Sequence, residues 1–146
     1  MNVLEHLEPK SVFRFFEEMC AIPHGSRNTK AVSDWCADFA RARGLEYHQD
    51  GDNNIIIIKE AAPGYEAAPP VILQGHLDMV CEQTADCQKD MSREGLDLAV
   101  DGDFVYAKGT TLGGDDGIAV AMALALLDAE GLPHPRLEAV FTVDEE

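Results

Sequence analysis

Three short clusters hold the side chains of this sequence that could do chemistry, and each lies where an apolar run begins or ends. They comprise His76 and Asp78 after PPVILQ, Asp115 and Asp116 before a long apolar run, and Glu145 and Glu146 after LEAVFTV. Imidazole nitrogens and carboxylate oxygens are ligands that zinc accepts in proteins. Open α/β sheets place their sites in the crevice at the strand ends, so three clusters in such positions predict a metal site.

The first cluster has the spacing of a metal ligand and its hydrogen-bonding partner. Side chains two residues apart on a strand point the same way, so His76 and Asp78 share a side while Leu77 faces the core. A zinc-bound imidazole usually donates its other N–H to a carboxylate, and Asp78 is placed for that bond. Taken alone, however, a histidine beside an aspartate is more often a solvated surface pair.

The other two clusters each have an ordinary explanation as well as a chemical one. Helix capping would account for one of Asp115 and Asp116, since a helix N-terminus favours anions. It does not explain why the pair follows GG, which allows the tight backbone path of a crowded site. Glu145 and Glu146 could form a charged turn, but neighbours at a strand end point in different directions. One could then bind metal while the other moves protons.

Composition excludes several classes of partner. The net charge of −16 over 146 residues argues against nucleic acid and against an anionic membrane surface, because both need a basic patch. The start of the chain is acidic, unlike a signal peptide, and the longest apolar run, residues 118–127, is too short to cross a bilayer. We therefore expect a cytoplasmic protein with reduced cysteines.

The spacing of apolar residues predicts a single α/β domain in which strands alternate with helices. We expect a mostly parallel central sheet with helices on both faces, and residues 55–58, IIII, suggest a strand buried on both sides. The predicted helices are 11–21, 28–43 and 114–129. The predicted strands are 45–48, 54–59, 71–73, 98–100, 104–108 and 137–143, with a hairpin turn at Asp101 and Gly102.

At this point the motifs resemble those of a known family. GHLDMV, TTLGGDDG and FTVDEE, in this order, are similar to the M20 metallopeptidases, and most of all to their aminoacyl-histidine or cytosol non-specific dipeptidase group. Further similarity lies in CAIPHGS, NNIIIIK and HPRLEAVF. The resemblance implies a zinc-exopeptidase-like catalytic domain and a dipeptidase acting on Xaa-His or a broad range of dipeptides.

The resemblance also implies a role for each site residue. His76 would bind one zinc ion with Asp78 orienting it, Asp115 would bridge two zinc ions, Glu146 would bind the second, and Glu145 would be the general base. Cobalt or manganese could replace zinc. The family further implies a cis peptide bond between Asp115 and Asp116. Asp116 stands where this group often has Asn, and its role is left open.

The family pattern continues beyond Glu146, with another acidic ligand, a histidine ligand and a lid-like domain. We therefore expect residues 1–146 to be the N-terminal part of the catalytic domain, inactive alone. The implied partners are a dipeptide substrate and, for the full-length protein, a second copy in a homodimer. Two alternatives stay open: a deacylase acting on N-acyl amino acids, and a non-catalytic fragment. TTLGGDDG favours the dipeptidase, because the deacylase branch usually has a sequence more like GxxDMKGG.

Overall fold

The structure is a computed structural model and describes residues 2–146. Three helices and six strands follow one another along the chain, close to the predicted bounds. The helices are α1 (Lys10–Cys20), α2 (Lys30–Ala42) and α3 (Gly114–Asp128). The strands are β1 (Glu46–Gln49), β2 (Ile55–Lys59), β3 (Val71–His76), β4 (Leu98–Asp101), β5 (Phe104–Ala107) and β6 (Leu137–Thr142). The α/β class is confirmed.

The main sheet has four strands in the order β1-β2-β6-β3. Only β3 and β6 are parallel, whereas β1 with β2 and β2 with β6 are antiparallel. The expectation of a mostly parallel sheet is therefore wrong for this part of the chain. The short turn between β1 and β2 forces these strands to run in opposite directions, while the longer connection through α3 allows β6 to return parallel to β3.

One face of this sheet carries the core. Ile55, Ile57, Ala139 and Phe141 point to it from β2 and β6 and are fully buried. Helix α2 lies on the same face. Tyr47 is paired with Ile57 and so points to that face, and Arg41 of α2 donates to the Tyr47 hydroxyl. Helix α3 lies on the same face against β3 and β6, and α1 packs against α3.

The opposite face is open, which corrects two further expectations. Ile58 on this face is buried at 8% exposure, but Ile56 is 37% exposed and Ile72 is 64% exposed. Residues 55–58 are therefore only partly covered on this side, and residues 71–73 do not form a buried strand. Within residues 2–146 the helices cover only one face, not both. An apolar run shows that a strand can be buried on two sides, but it does not show what covers the second side.

Smaller features agree with the sequence. Gly44 takes the left-handed conformation (φ +64°) just after α2. Strands β4 and β5 form the predicted hairpin, with its two-residue loop at Gly102 and Asp103. All four cysteines are free thiols. No helix in the described part of the chain is long and apolar enough to span a membrane.

Candidate metal centre

The three predicted clusters meet at one edge of the main sheet. His76 ends β3, the acidic pair Glu145 and Glu146 follows β6, and Asp115 lies in the first turn of α3. Because β3 and β6 are parallel and His76 is paired with Thr142, both strands end at the same edge. Helix α3 packs along β3, and this packing places Asp115, in its first turn, beside the end of β3.

The side chains of these residues lie within reach of a single small site. The Nε2 atom of His76 is 2.9 Å from Oδ1 of Asp115 and 3.6 Å from Oε2 of Glu145. His76, Asp115 and Glu146 each offer a ligand atom, and these atoms all lie within 4.8 Å of one another. The three residues predicted to bind metal therefore form a group that could hold a metal ion.

The site has a buried side and an open side. The His76 side chain is only 8% exposed, whereas that of Asp115 is 82% exposed and that of Glu145 is 58% exposed. The imidazole of His76 thus lies at the buried side of the site, and the carboxylates of Asp115 and Glu145 approach it from the solvent side. No lysine or arginine among residues 2–146 forms a salt bridge with Asp78, Asp115 or either glutamate, so the site is strongly anionic.

Asp78 lies beneath the imidazole and is almost fully buried. Its Oδ1 atom is 3.2 Å from Nδ1 of His76, and its backbone carbonyl is 3.0 Å from the same nitrogen. The backbone N–H groups of Glu145 and Glu146 donate to its two carboxylate oxygens, each at 3.1 Å. Burial would raise the pKa of Asp78, but these bonds and one from Ser26 hold the carboxylate charged and lower it.

The surroundings of His76 favour metal binding through Nε2. With Nδ1 facing the oxygens of Asp78, the tautomer inferred from these contacts carries its proton on Nδ1 and leaves Nε2 free for a metal. Burial alone would lower the pKa of His76. The hydrogen bond to Asp115, the bond to Asp78 and the charges of Asp78 and Asp116 outweigh it, so the pKa is raised.

The start of α3 is irregular where it enters the site. Gly113 has φ +74°, Asp115 and Asp116 depart from helical φ and ψ, and the peptide bond between the two aspartates is cis, as the family resemblance implied. A Cβ at position 113 would lie 2.9 Å from the sulfur of Met79, which explains the glycine. Oδ2 of Asp116 accepts a hydrogen bond from the backbone N–H of His76 at 3.3 Å.

Sequence reasoning missed a fourth segment at this site. Ser26 donates to Oδ2 of Asp78 at 2.6 Å, and the backbone N–H of Arg27 donates to Oδ1 of Asp144 at 2.6 Å. Both residues are far from their partners along the chain. The only signal was CAIPHGS, which was noted as similar to the family but not as part of the site.

Comparison with known proteins agrees with this arrangement. The chain is 38% identical over 146 residues to the cytosol non-specific dipeptidase of Escherichia coli (strain K12), covering all of this chain and 30% of that protein. Among solved structures, the aminoacylhistidine dipeptidase of Vibrio alginolyticus matches with a TM-score of 0.94 and 37% identity, over 97% of this chain and 29% of that one. No protein-family model matches the chain.

A more distant structure supports the fold alone. A tripeptidase from Staphylococcus aureus matches with a TM-score of 0.71 and 20% identity, over 93% of this chain and 36% of that one. The chain thus spans about 30% of the length of these two dipeptidases. The resemblance inferred from the motifs is confirmed, since this chain is similar in sequence and fold to the N-terminal part of aminoacylhistidine and cytosol non-specific dipeptidases.

Proposed function

We propose that this chain supplies part of the catalytic centre of a zinc-dependent dipeptidase that cleaves Xaa-His or a broader range of dipeptides. The observation that carries the proposal is the convergence of His76, Asp115 and Glu146 on one small site. The similarity to two dipeptidases along almost the whole chain supports it. We place the enzyme in the cytoplasm, as the name of the Escherichia coli protein suggests for that relative.

The donor set fits zinc. One imidazole nitrogen and carboxylate oxygens are ordinary zinc ligands, held at about 2.0–2.2 Å from the ion. His76 would hold one zinc ion, Glu146 a second, and Asp115 would lie between them. When bound, such a pair lowers the pKa of a water molecule and polarises the scissile carbonyl group. Cobalt or manganese would suit the same ligands.

Asp78 would act through His76 rather than on the substrate. Its contacts with Nδ1 fix the ring so that Nε2 faces the carboxylates of Asp115 and Glu145. Because Asp78 stays charged, it also makes the imidazole a stronger donor to a metal.

Glu145 is suited to move the proton. Its carboxylate lies 3.6 Å from Nε2 of His76, close to the site, and its side chain is more than half exposed, so a substrate water can reach it. A general base must lie within hydrogen-bond reach of the water that it activates. We propose that Glu145 accepts a proton from the attacking water and returns it to the leaving amino group.

We further propose that residues 1–146 are the N-terminal part of the catalytic domain, with the remaining ligands and a lid domain supplied by further polypeptide. The support is that the chain spans about 30% of its dipeptidase relatives. Catalytic zinc normally has three protein ligands, but here each ion would have only two. Residues 1–146 alone should therefore lack measurable activity. A homodimer of the longer protein stays a prediction.

The experiment that tests this function uses residues 1–146 and a longer chain that continues through the region matched by the relatives. Each is titrated with Zn²⁺ and assayed with a dipeptide and with an N-acyl amino acid. We expect zinc-dependent dipeptide hydrolysis by the longer chain only. Preference for the N-acyl amino acid would identify a deacylase, and zinc binding with no hydrolysis of either substrate would support a non-catalytic protein. Robust hydrolysis by residues 1–146 would contradict the proposal that this chain supplies only part of the catalytic centre.

A further inference from the structure

We propose that Ser26 is a positioning residue of the metal centre, whose hydroxyl fixes the carboxylate of Asp78 and, through it, both His76 and the backbone of the two glutamates. The part of this inference that concerns metal affinity rests on the proposed function. The part that concerns the orientation of Asp78 does not, and the experiment below separates the two.

The hydroxyl of Ser26 completes the hydrogen bonding of a buried carboxylate. Oδ2 of Asp78 accepts bonds from the Ser26 hydroxyl at 2.6 Å and from the backbone N–H of Glu146 at 3.1 Å. Oδ1 accepts the backbone N–H of Glu145 and faces Nδ1 of His76. A carboxylate rotates as a rigid plane, so losing the shortest of these bonds loosens all of them together.

The backbone that carries Ser26 is held in place. Its own N–H donates to the carbonyl of Met79 at 3.2 Å, and the N–H of Met79 donates to the carbonyl of His24 at 3.1 Å. Gly25 allows this close approach, because a Cβ there would lie 2.7 Å from the sulfur of Cys81. The hydroxyl of Ser26 therefore reaches Asp78 from a fixed position.

A second bond ties the same segment to the glutamates. Arg27 and Asp144 are both in the left-handed region, at φ 66° and φ 57°, and the N–H of Arg27 donates to Oδ1 of Asp144. Asp144 directly precedes Glu145. Arg27 thus holds the turn after β6 through Asp144, while Ser26 holds Asp78, whose carboxylate accepts the N–H groups of the same turn. This pairing favours a role in aligning the site over a role in general stability.

The test compares Ser26→Ala and Ser26→Thr in residues 1–146 with Ser92→Ala as the matched control. Ser92 is also exposed, and its hydroxyl also donates to an aspartate at 2.6 Å, but that partner is the exposed Asp90. Circular dichroism and Tm report folding. In the metal-free protein, NMR measures the chemical shift and solvent exchange of the amide protons of Glu145 and Glu146. Competition with a chromophoric chelator then measures Co²⁺ affinity.

We expect Ser26→Ala to shift both amide protons upfield and speed their exchange, and to weaken Co²⁺ binding by about tenfold, the lower end for losing a partner of a metal ligand. Ser26→Thr should restore both readouts, and Ser92→Ala should change neither. Unchanged amide protons in a folded Ser26→Ala variant would overturn the inference. If those amides respond but the longer chain, titrated in the same way, binds no Co²⁺, the positioning role stands and the metal proposal fails. If the amides respond while Ser26→Ala binds Co²⁺ as tightly as the unmodified protein, the proposal that Asp78 positions the metal ligands is refuted.

Discussion

Asp116 accepts a hydrogen bond from the backbone N–H of His76, so the first turn of α3 is fastened to the end of β3 beside the metal ligands. Oδ2 of Asp116 also lies 3.2 Å from the position that a Cβ of residue 75 would take. The role that the sequence left open for Asp116 is therefore one of alignment, because it joins the helix that carries Asp115 to the strand that carries His76.

The bond from His76 to Asp116 predicts different results for two substitutions. Asp116→Asn keeps an oxygen that can accept the N–H, whereas Asp116→Ala leaves this group unpaired. We expect Asp116→Ala to lower the free energy of unfolding by about 1–3 kcal/mol and to weaken Co²⁺ binding, with Asp116→Asn close to the unmodified protein in stability. Urea unfolding and chelator competition measure these effects. Equal losses in both variants would show that charge, not hydrogen bonding, is what Asp116 contributes.

The two terminal glutamates should differ in what they contribute. In the longer chain, Glu145→Ala should lower turnover by about 10²–10⁴-fold, the usual contribution of a general base, while zinc stays bound. Glu146→Ala should instead reduce the zinc content, because a ligand is lost. Metal analysis after dialysis and a dipeptide assay distinguish them. Equal zinc loss in both variants would mean that the two roles have been assigned wrongly.

The raised pKa of His76 predicts how pH affects the metal-free protein. Because the pKa is raised on folding, its protonation stabilises the fold at low pH, and this contribution is lost as pH rises through the folded-state pKa. Metal binding needs the neutral ring, so Co²⁺ affinity should rise over the same pH range. NMR titration of His76 checks the direction of the pKa shift. A His76 pKa at or below the ordinary histidine value of about 6.5 would contradict it.

Gly75 sets the distance between β3 and α3. A Cβ there would lie 3.4 Å from side-chain atoms of both Ala119 and Val120. We expect Gly75→Ala to push α3 away and to cost about 1–3 kcal/mol of stability, as overpacking usually does. Since α3 carries Asp115, Co²⁺ affinity should fall as well.

Gly51→Ala is the matched control for that change. No atom lies within 4 Å of a Cβ at Gly51, and the residue sits in an exposed turn. Thermal unfolding should show little change for Gly51→Ala and a clear drop in Tm for Gly75→Ala. Similar Tm values for the two variants would mean that α3 can move without cost.

Local sequence patterns predicted most elements here, because helices and strands leave periodic apolar residues that can be recognised one segment at a time. Strand direction could not be obtained in that way. Whether β6 lies parallel or antiparallel to β2 depends on where the chain returns after α3, which no local pattern encodes. The same limit applies to Ile56 and Ile72, whose apolar character does not reveal that their face is open.

The site shows the same division. His76, Asp115 and Glu146 were identifiable because each stands at the end of an element and matches a family motif. Their convergence followed from the strand ends. Ser26 was missed because a serine in a loop is common. Only its hydrogen bond to Asp78 distinguishes it, and Asp78 lies more than fifty residues further along the chain. A single hydrogen bond between distant loops leaves no periodic trace in a sequence.

The open face of the main sheet has a consequence for how this polypeptide behaves in solution. Ile56 lies beside the half-buried Val140 on that face, Ile72 is nearby, and β3 is an edge strand with unpaired backbone groups. Such a surface on one molecule can associate with the same surface on another, while a net charge of −16 makes the molecules repel one another. Added salt screens that repulsion over shorter distances. Light scattering of residues 1–146 should therefore show larger particles at high ionic strength, and Ile72→Lys should suppress them.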